Sequence, residues 1–195
     1  MKHLIIFLFC SIIFSQEVLP ESFLKDLNGK KVKINELNDT PMIINFWFLA
    51  CEPCKKEMKY LDIYNTKYEK YGFKVISVNT DNSRTFNRVK PYVDSKKYSF
   101  DVFSDPRSFF FRKLGGVQCP YLVIVDEEGN LINKHIGYNP GDEIKLEKEI
   151  VELLASSIKS DTSLSDTSIS NKLPKQNLKI NTLEEVEELE EIDSE

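Results

Sequence analysis

Histidine and cysteine are scarce in this chain of 195 residues, with two of the first and four of the second. A structural zinc site normally takes four such ligands. Beyond the first sixteen residues only Cys51, Cys54, Cys119 and His135 remain, so no metal is expected. A long apolar run is also missing. The longest, Leu4 to Phe14, falls short of the roughly twenty residues that span a bilayer. Lys2 and His3 precede it and Ser15-Gln16 follow it before Glu17, so residues 1–16 read as a secretory signal peptide, with an uncleaved membrane anchor as the alternative. Cys10 follows Leu8-Phe9, where a lipobox would place small residues, and reads as a bystander of the leader. Charge of one sign is modest overall, at net −5. From Ser156 onward ten acidic residues face four lysines, which puts −6 in the tail and leaves the rest near +1. No nucleic-acid partner is expected of that balance.

What is present centres on residues 42–64. Met42 to Leu49 is apolar and rich in β-branched and aromatic residues, interrupted only by Asn45, as befits a strand buried on both faces. Cys51 and Cys54 follow in a C-x-x-C spacing. Cys54, Met58, Leu61, Tyr64 and Tyr68 then recur at helical intervals, with Lys55, Lys56, Lys59 and Asp62 turned elsewhere. Cys51 therefore falls at a helix N-terminus, where unpaired N–H groups and the helix dipole favour a thiolate. Pro53 is admissible in a first turn. These positions make Cys51 the expected nucleophile and Cys54, one turn further in, the resolving thiol.

Asn45-Phe46-Trp47, followed by Cys51-Glu52-Pro53-Cys54-Lys55-Lys56-Glu57, resembles the thioredoxin superfamily, in particular its extracytoplasmic TlpA/ResA-like thiol-disulfide oxidoreductases, over about residues 20–155. The resemblance implies an α/β thioredoxin fold: a central mixed sheet flanked by helices, with an N-terminal β-hairpin. It implies a Cys51–Cys54 disulfide, no cofactor, and protein thiols or disulfides as substrates. A membrane electron donor would be needed if the protein works as a reductase. Ala50 stands where the family usually has tryptophan, which bears on the docking of substrate. Phe48 stands where a peroxidase of the related class would have threonine or serine, which disfavours peroxide chemistry.

Along the chain, Asn28-Gly29 between two short strand-like runs predicts a two-residue hairpin. The active-site helix should stop near Tyr71-Gly72. A strand over residues 73–79, a helix over 83–96 that Pro91 kinks or shortens, a strand over 99–103 and a helix starting at Asp105-Pro106 follow. Cys119-Pro120 opens a further strand, paired through Glu127–Asn130 with Leu131–Ile136. The resemblance makes the Pro120 peptide bond cis, facing the C-x-x-C, with Cys119, Pro120 and Trp47 at the substrate-binding surface. Asp142 is placed to cap a last helix whose apolar stripe is Leu146, Ile150, Leu153 and Leu154. The domain is expected over residues 17–155. Residues 156–195, Ser-rich and then acidic, are expected to be disordered. Within them Leu183, Val186, Leu189 and Ile192 recur every three residues, a narrow stripe that a partner could order.

Two carboxylates lie near the thiols in sequence. Negative charge at Glu52 and Glu57 opposes ionisation of the cysteines, tuning the pair, together with Pro53, toward reducing potentials. Asn45 replaces the buried aspartate of cytosolic thioredoxins, and an amide cannot take the resolving thiol's proton, so Glu57 is the expected general base. Its alternative is an exposed helix carboxylate paired with neighbouring lysines. Cys119 is either a small buried hydrophobe or a third redox thiol. The expected function is thiol-disulfide exchange on exported proteins in the periplasm or another extracytoplasmic space. Reduction serving cytochrome c maturation is favoured. The alternatives are an oxidase or isomerase, or a non-catalytic binding module that recruits a partner through its acidic tail.

Overall fold

The structure, a computed structural model, describes residues 16–161, and side chains up to residue 157. The leader, apart from Gln16, and the tail beyond Asp161 lie outside the described residues.

Seven strands form one mixed sheet: β1 (Phe23–Asp26), β2 (Lys31–Lys33), β3 (Met42–Trp47), β4 (Lys74–Asn79), β5 (Asp101–Ser104), β6 (Tyr121–Val125) and β7 (Leu131–Ile136), in spatial order β2-β1-β5-β4-β3-β6-β7. β3, β4 and β5 are mutually parallel, while β1, β6 and β7 run against their neighbours. Among the described residues four α-helices cover the faces: α1 (Glu52–Tyr68), α2 (Val89–Lys96), α3 (Phe109–Lys113) and α4 (Asp142–Asp161). Among the described residues no helix is long and apolar enough to cross a membrane.

The period-two alternation of β3 divides the core. Ile43 and Trp47 join one cluster with Cys54, Met58 and Leu61 of α1 and Ile150 of α4. Met42, Ile44 and Phe46 join the other, under α3 and the β1–β2 hairpin. Every residue of β3 is buried, which is why its sequence reads as an unbroken apolar run.

Several expectations are corrected locally. The Asn28-Gly29 turn is a three-residue loop, closed by Asp26 N–H to the Lys30 carbonyl at 2.9 Å. The Asp26 carboxylate accepts from the Asn28 and Lys30 amides and holds the longer loop, with Gly29 at a left-handed φ of 88°. The helix expected from residue 83 begins only at Val89, so Pro91 falls in its first turn, where no hydrogen bond is lost. The helix expected at Asp105-Pro106 begins at Phe109, because the Asp105 carboxylate folds back onto the Phe109 and Phe111 amides, both at 2.9 Å. Asp142 opens α4, but its carboxylate takes the Asn139 amide at 2.9 Å. α4 itself continues to Asp161, past the expected domain end at residue 155.

Candidate active site

β3 delivers the chain to the C-x-x-C turn. Cys51 is the residue that caps α1, with extended backbone (φ −89°, ψ 94°), and its Sγ accepts the Cys54 N–H at 3.3 Å. Cys51 and Cys54 form a disulfide with Cα atoms 5.3 Å apart. Cys51 is 5% exposed and Cys54 is fully buried, the order expected of nucleophile and resolving thiol. Pro53 sits exposed in the first turn.

The loop between β3 and α1 is held from β4. The Asp81 carboxylate accepts the Leu49 amide at 2.7 Å, and also bonds to the Asn79 amide and the Thr85 hydroxyl. Thr80 grips the Trp47 carbonyl through both its N–H, at 2.8 Å, and its hydroxyl, at 3.1 Å. The same hydroxyl lies 4.0 Å from the Cys119 Sγ. Asp81 and Thr80 were not singled out in the sequence. Their signal is an unusual polar pair directly after a buried strand that runs parallel to the one carrying the cysteines.

The Cys119–Pro120 peptide bond is cis. The loop leading to it is held by Gly116, where a Cβ would collide with the Phe111 ring. Pro120 is buried, while Val117, at 77% exposed, and Gln118 face solvent. Cys119 is a free, half-buried thiol packed against the cluster that contains the disulfide. Burial pushes its pKa up to about 11, with the Thr80 hydrogen bond working against that rise and the Glu57 charge adding to it.

Trp47 does not reach a substrate surface. It is fully buried, with its ring 5.6 Å from that of Tyr92, because the period of β3 points it beneath α1. Its role is to support the turn from below. The exposed apolar residue beside the disulfide is instead Phe48, at 37%.

Glu57 is no surface carboxylate paired with lysines: it is 5% exposed. It belongs to the buried stripe of α1 with Cys54, Met58, Leu61 and Tyr64. Burial pushes its pKa up to about 8; the Asn45 amide opposes the shift and the Asp142 charge adds to it. Asn45 Oδ1 is taken by the Ser77 hydroxyl at 2.6 Å, while neither Asn45 Nδ2 nor Glu57 Oε2 completes a hydrogen bond. Glu57 is therefore mostly protonated at neutral pH, so little of the expected electrostatic opposition to the thiolates comes from its charge, while the ionised minority remains available as a base. Glu52, the other expected source, is exposed and paired with Lys55 at 2.6 Å. On its other side Glu57 borders a cavity of about 290 Å³, lined by Tyr60, His135, Tyr138, Asp142 and Leu146 among others. His135 is itself paired with Glu149 at 2.9 Å.

Chemically, the arrangement offers a disulfide at a helix N-terminus, a buried acid that titrates near neutrality one turn below the inner sulfur, and a cis-proline loop beside it. A model of the Redoxin family matches residues 15–150. The thiol-disulfide oxidoreductase ResA of Bacillus anthracis is 28% identical over 126 residues, covering 65% of this chain and 72% of that protein. ResA of Halalkalibacterium halodurans is 27% identical over 131 residues, covering 67% and 72%. Among solved structures, a putative thiol:disulfide interchange protein DsbE from Chlorobium tepidum is similar at a TM-score of 0.66 and 25% identity, over 71% of this chain and 96% of that one. An uncharacterized thioredoxin-like protein from Porphyromonas gingivalis is similar at 0.62 and 32% identity, over 70% and 92%.

Proposed function

Because this chain belongs to the Redoxin family, with a thioredoxin-like fold and thiol-disulfide oxidoreductase activity, we propose that it reduces disulfides of exported proteins. The observation that carries the proposal is the buried Glu57, held one helical turn from Cys54 with its pKa up to about 8.

In the reduced enzyme the Cys51 thiolate attacks a client disulfide. The client S–S bond breaks, a mixed disulfide forms on Cys51, and the client's first sulfur leaves and takes a proton. Cys54 gives its own proton to the Glu57 carboxylate and attacks Cys51 Sγ. The client's second sulfur leaves, the Cys51–Cys54 disulfide closes, and two electrons have passed to the client. A general base works best with a pKa near the operating pH, which is where burial puts Glu57. Its proton returns to water by way of the bordering cavity.

The direction is supported by burial rather than by charge. A desolvated pair of sulfurs disfavours the thiolate, so the reduced form is not stabilised and gives up its electrons readily. The Cys54 N–H eases this for Cys51 alone, which leaves it the better nucleophile. Residues 1–16 export the domain, a membrane electron donor restores the dithiol, and apocytochrome c cysteines, oxidised to a disulfide, are the clients that the ResA resemblance favours. A non-catalytic module is set aside, since its dithiol would have no use for a titrating acid beneath it.

The reduction potential of the Cys51–Cys54 pair tests the direction. A value near that of thioredoxin, about −270 mV, is expected. One near about −120 mV, that of a strong oxidant, would assign an oxidase instead.

A further inference from the structure

Between the β1–β2 hairpin and the segment joining β5 to α3 lies a groove of about 670 Å³ that the redox chemistry leaves unused. Its walls carry Phe23, Lys25, Lys31, Arg107, Phe109 and Lys113. The two phenylalanines are exposed, at 56% and 58%. Lys31 lies over the Phe23 ring at 4.1 Å, and Arg112 lies over Phe109 at 5.3 Å. None of the four wall cations is ion-paired among the described residues. The two carboxylates at the groove are already engaged: Glu21 with Lys33 at 2.9 Å, and Asp105 with the α3 amides. The result is a surface of aromatic rings with an excess of positive charge, four cations against two carboxylates, Lys113 also donating to the Glu21 carbonyl at 3.0 Å.

We propose that this groove is the docking site of the chain's own acidic segment, Leu183–Glu195. That segment carries eight carboxylates between Glu184 and Glu195, threaded by Leu183, Val186, Leu189 and Ile192. Acids and apolar side chains in alternation are the complement of cations and exposed rings. Charge also selects this groove over the one beside the end of α4, which is lined by Asp126, Glu127, Glu128, Glu149 and Glu152 and repels the segment.

The connection is long enough. α4 ends beside the β6–β7 turn, where the Ser157 hydroxyl bonds Glu127 at 2.6 Å. From there the groove is four strand spacings across the sheet, about 20 Å, and lies toward the opposite strand ends, about 20 Å further. Residues 162–182 extend to roughly 70 Å. A tether of that kind supplies an effective concentration on the order of millimolar, which outcompetes most free acidic partners. Ser104 pairs with Asn79, and Asn79 with Trp47, so the occupied groove sits about two strand spacings, ~10 Å, from the catalytic turn. Docking there sets a field of carboxylates beside the entry of any client.

Zero-length carbodiimide coupling of the full chain at low micromolar concentration, mapped by peptide mass spectrometry, tests the proposal. Links from Lys25, Lys31 or Lys113 to Glu184–Glu195 within one chain are expected, with yields falling about tenfold in 0.5 M salt. The triple variant Lys25→Gln, Lys31→Gln, Lys113→Gln removes those sites. A variant with glutamine and asparagine for the acids of residues 184–195 leaves the described fold intact, and should raise amide hydrogen exchange around the groove. Links confined to lysines elsewhere, links only between two chains, or unchanged exchange in the tail variant would overturn it. So would recruitment to anionic lipid vesicles that is equal in wild type and tail variant, since the groove would then be free.

Discussion

The Asp81 carboxylate and the Leu49 amide are joined at 2.7 Å, so a carboxylate placed just past β4 fixes the backbone two residues before Cys51. Asp81 is 8% exposed and spends both oxygens, on Leu49 and Asn79 with one and on Thr85 with the other. Replacing it with alanine strips three partners at once and leaves the part-buried Leu49 amide unpaired. We expect Asp81→Ala to lose about 2–3 kcal/mol in urea unfolding, and to lower kcat/KM through a misplaced Cys51. An unchanged midpoint together with unchanged turnover would show that the loop stands without it.

Glu57→Gln keeps the shape of the buried acid but not its proton exchange. Attack by Cys51 should proceed, while resolution by Cys54 loses its base and slows by about 10²-fold, the lower range of general-base effects. The mixed disulfide with client then accumulates, and non-reducing electrophoresis of acid-quenched samples reads it directly. The wild-type pH-rate profile should carry a step near 8 that the variant lacks. Equal amounts of trapped intermediate in the two proteins would move the base elsewhere.

What was legible in the sequence was what depends on near neighbours. The apolar run of β3, the helical spacing from Cys54 to Tyr68 and the glycine stop at Gly72 each follow from local sterics and burial, and each stands in the structure. Where a side chain competed with the regular pattern, the boundaries moved, as at Asp26 and Asp105, whose carboxylates capture amides and reshape the turn. The burial of Glu57 was half-legible. Its lysine neighbours suggested a solvated face, yet its spacing of three from Cys54 and four from Leu61 sets it in the buried stripe. The resemblance implies a substrate-facing Trp47, whereas the alternation of β3 sends its side chain inward. The hold of Asp81 on Leu49 spans 32 positions and leaves no periodic trace in the chain.

Glu57 also shapes stability. Its pKa is raised on folding from 4.5 to about 8. Between those values the folded protein holds a proton that the unfolded chain has released, so stability falls as pH rises through that window and the loss is complete above 8. The full effect is on the order of 4–5 kcal/mol. Urea unfolding of the oxidised wild type should therefore show a falling midpoint from pH 5 to pH 8.5, and Glu57→Gln should remove most of that slope. A wild-type slope that survives in the variant would place the titrating group elsewhere.

Cys119 stands beside the disulfide, yet its chemistry is muted by its surroundings. Burial pushes its pKa up to about 11, so at pH 8 only about one molecule in a thousand is a thiolate, against roughly one in four for a free cysteine of pKa about 8.5. Alkylation of the oxidised protein by iodoacetamide at pH 8 should accordingly be at least about tenfold slower than that of a free thiol, after allowing for the greater intrinsic reactivity of the high-pKa sulfur. If the thiol acts only as a packing group, Cys119→Thr retains turnover within about twofold, because the Thr80 hydroxyl at 4.0 Å can accommodate another small polar partner. Rapid alkylation, or turnover lost in Cys119→Thr and restored in Cys119→Ser no better than in alanine, would instead make the sulfur a third participant in exchange.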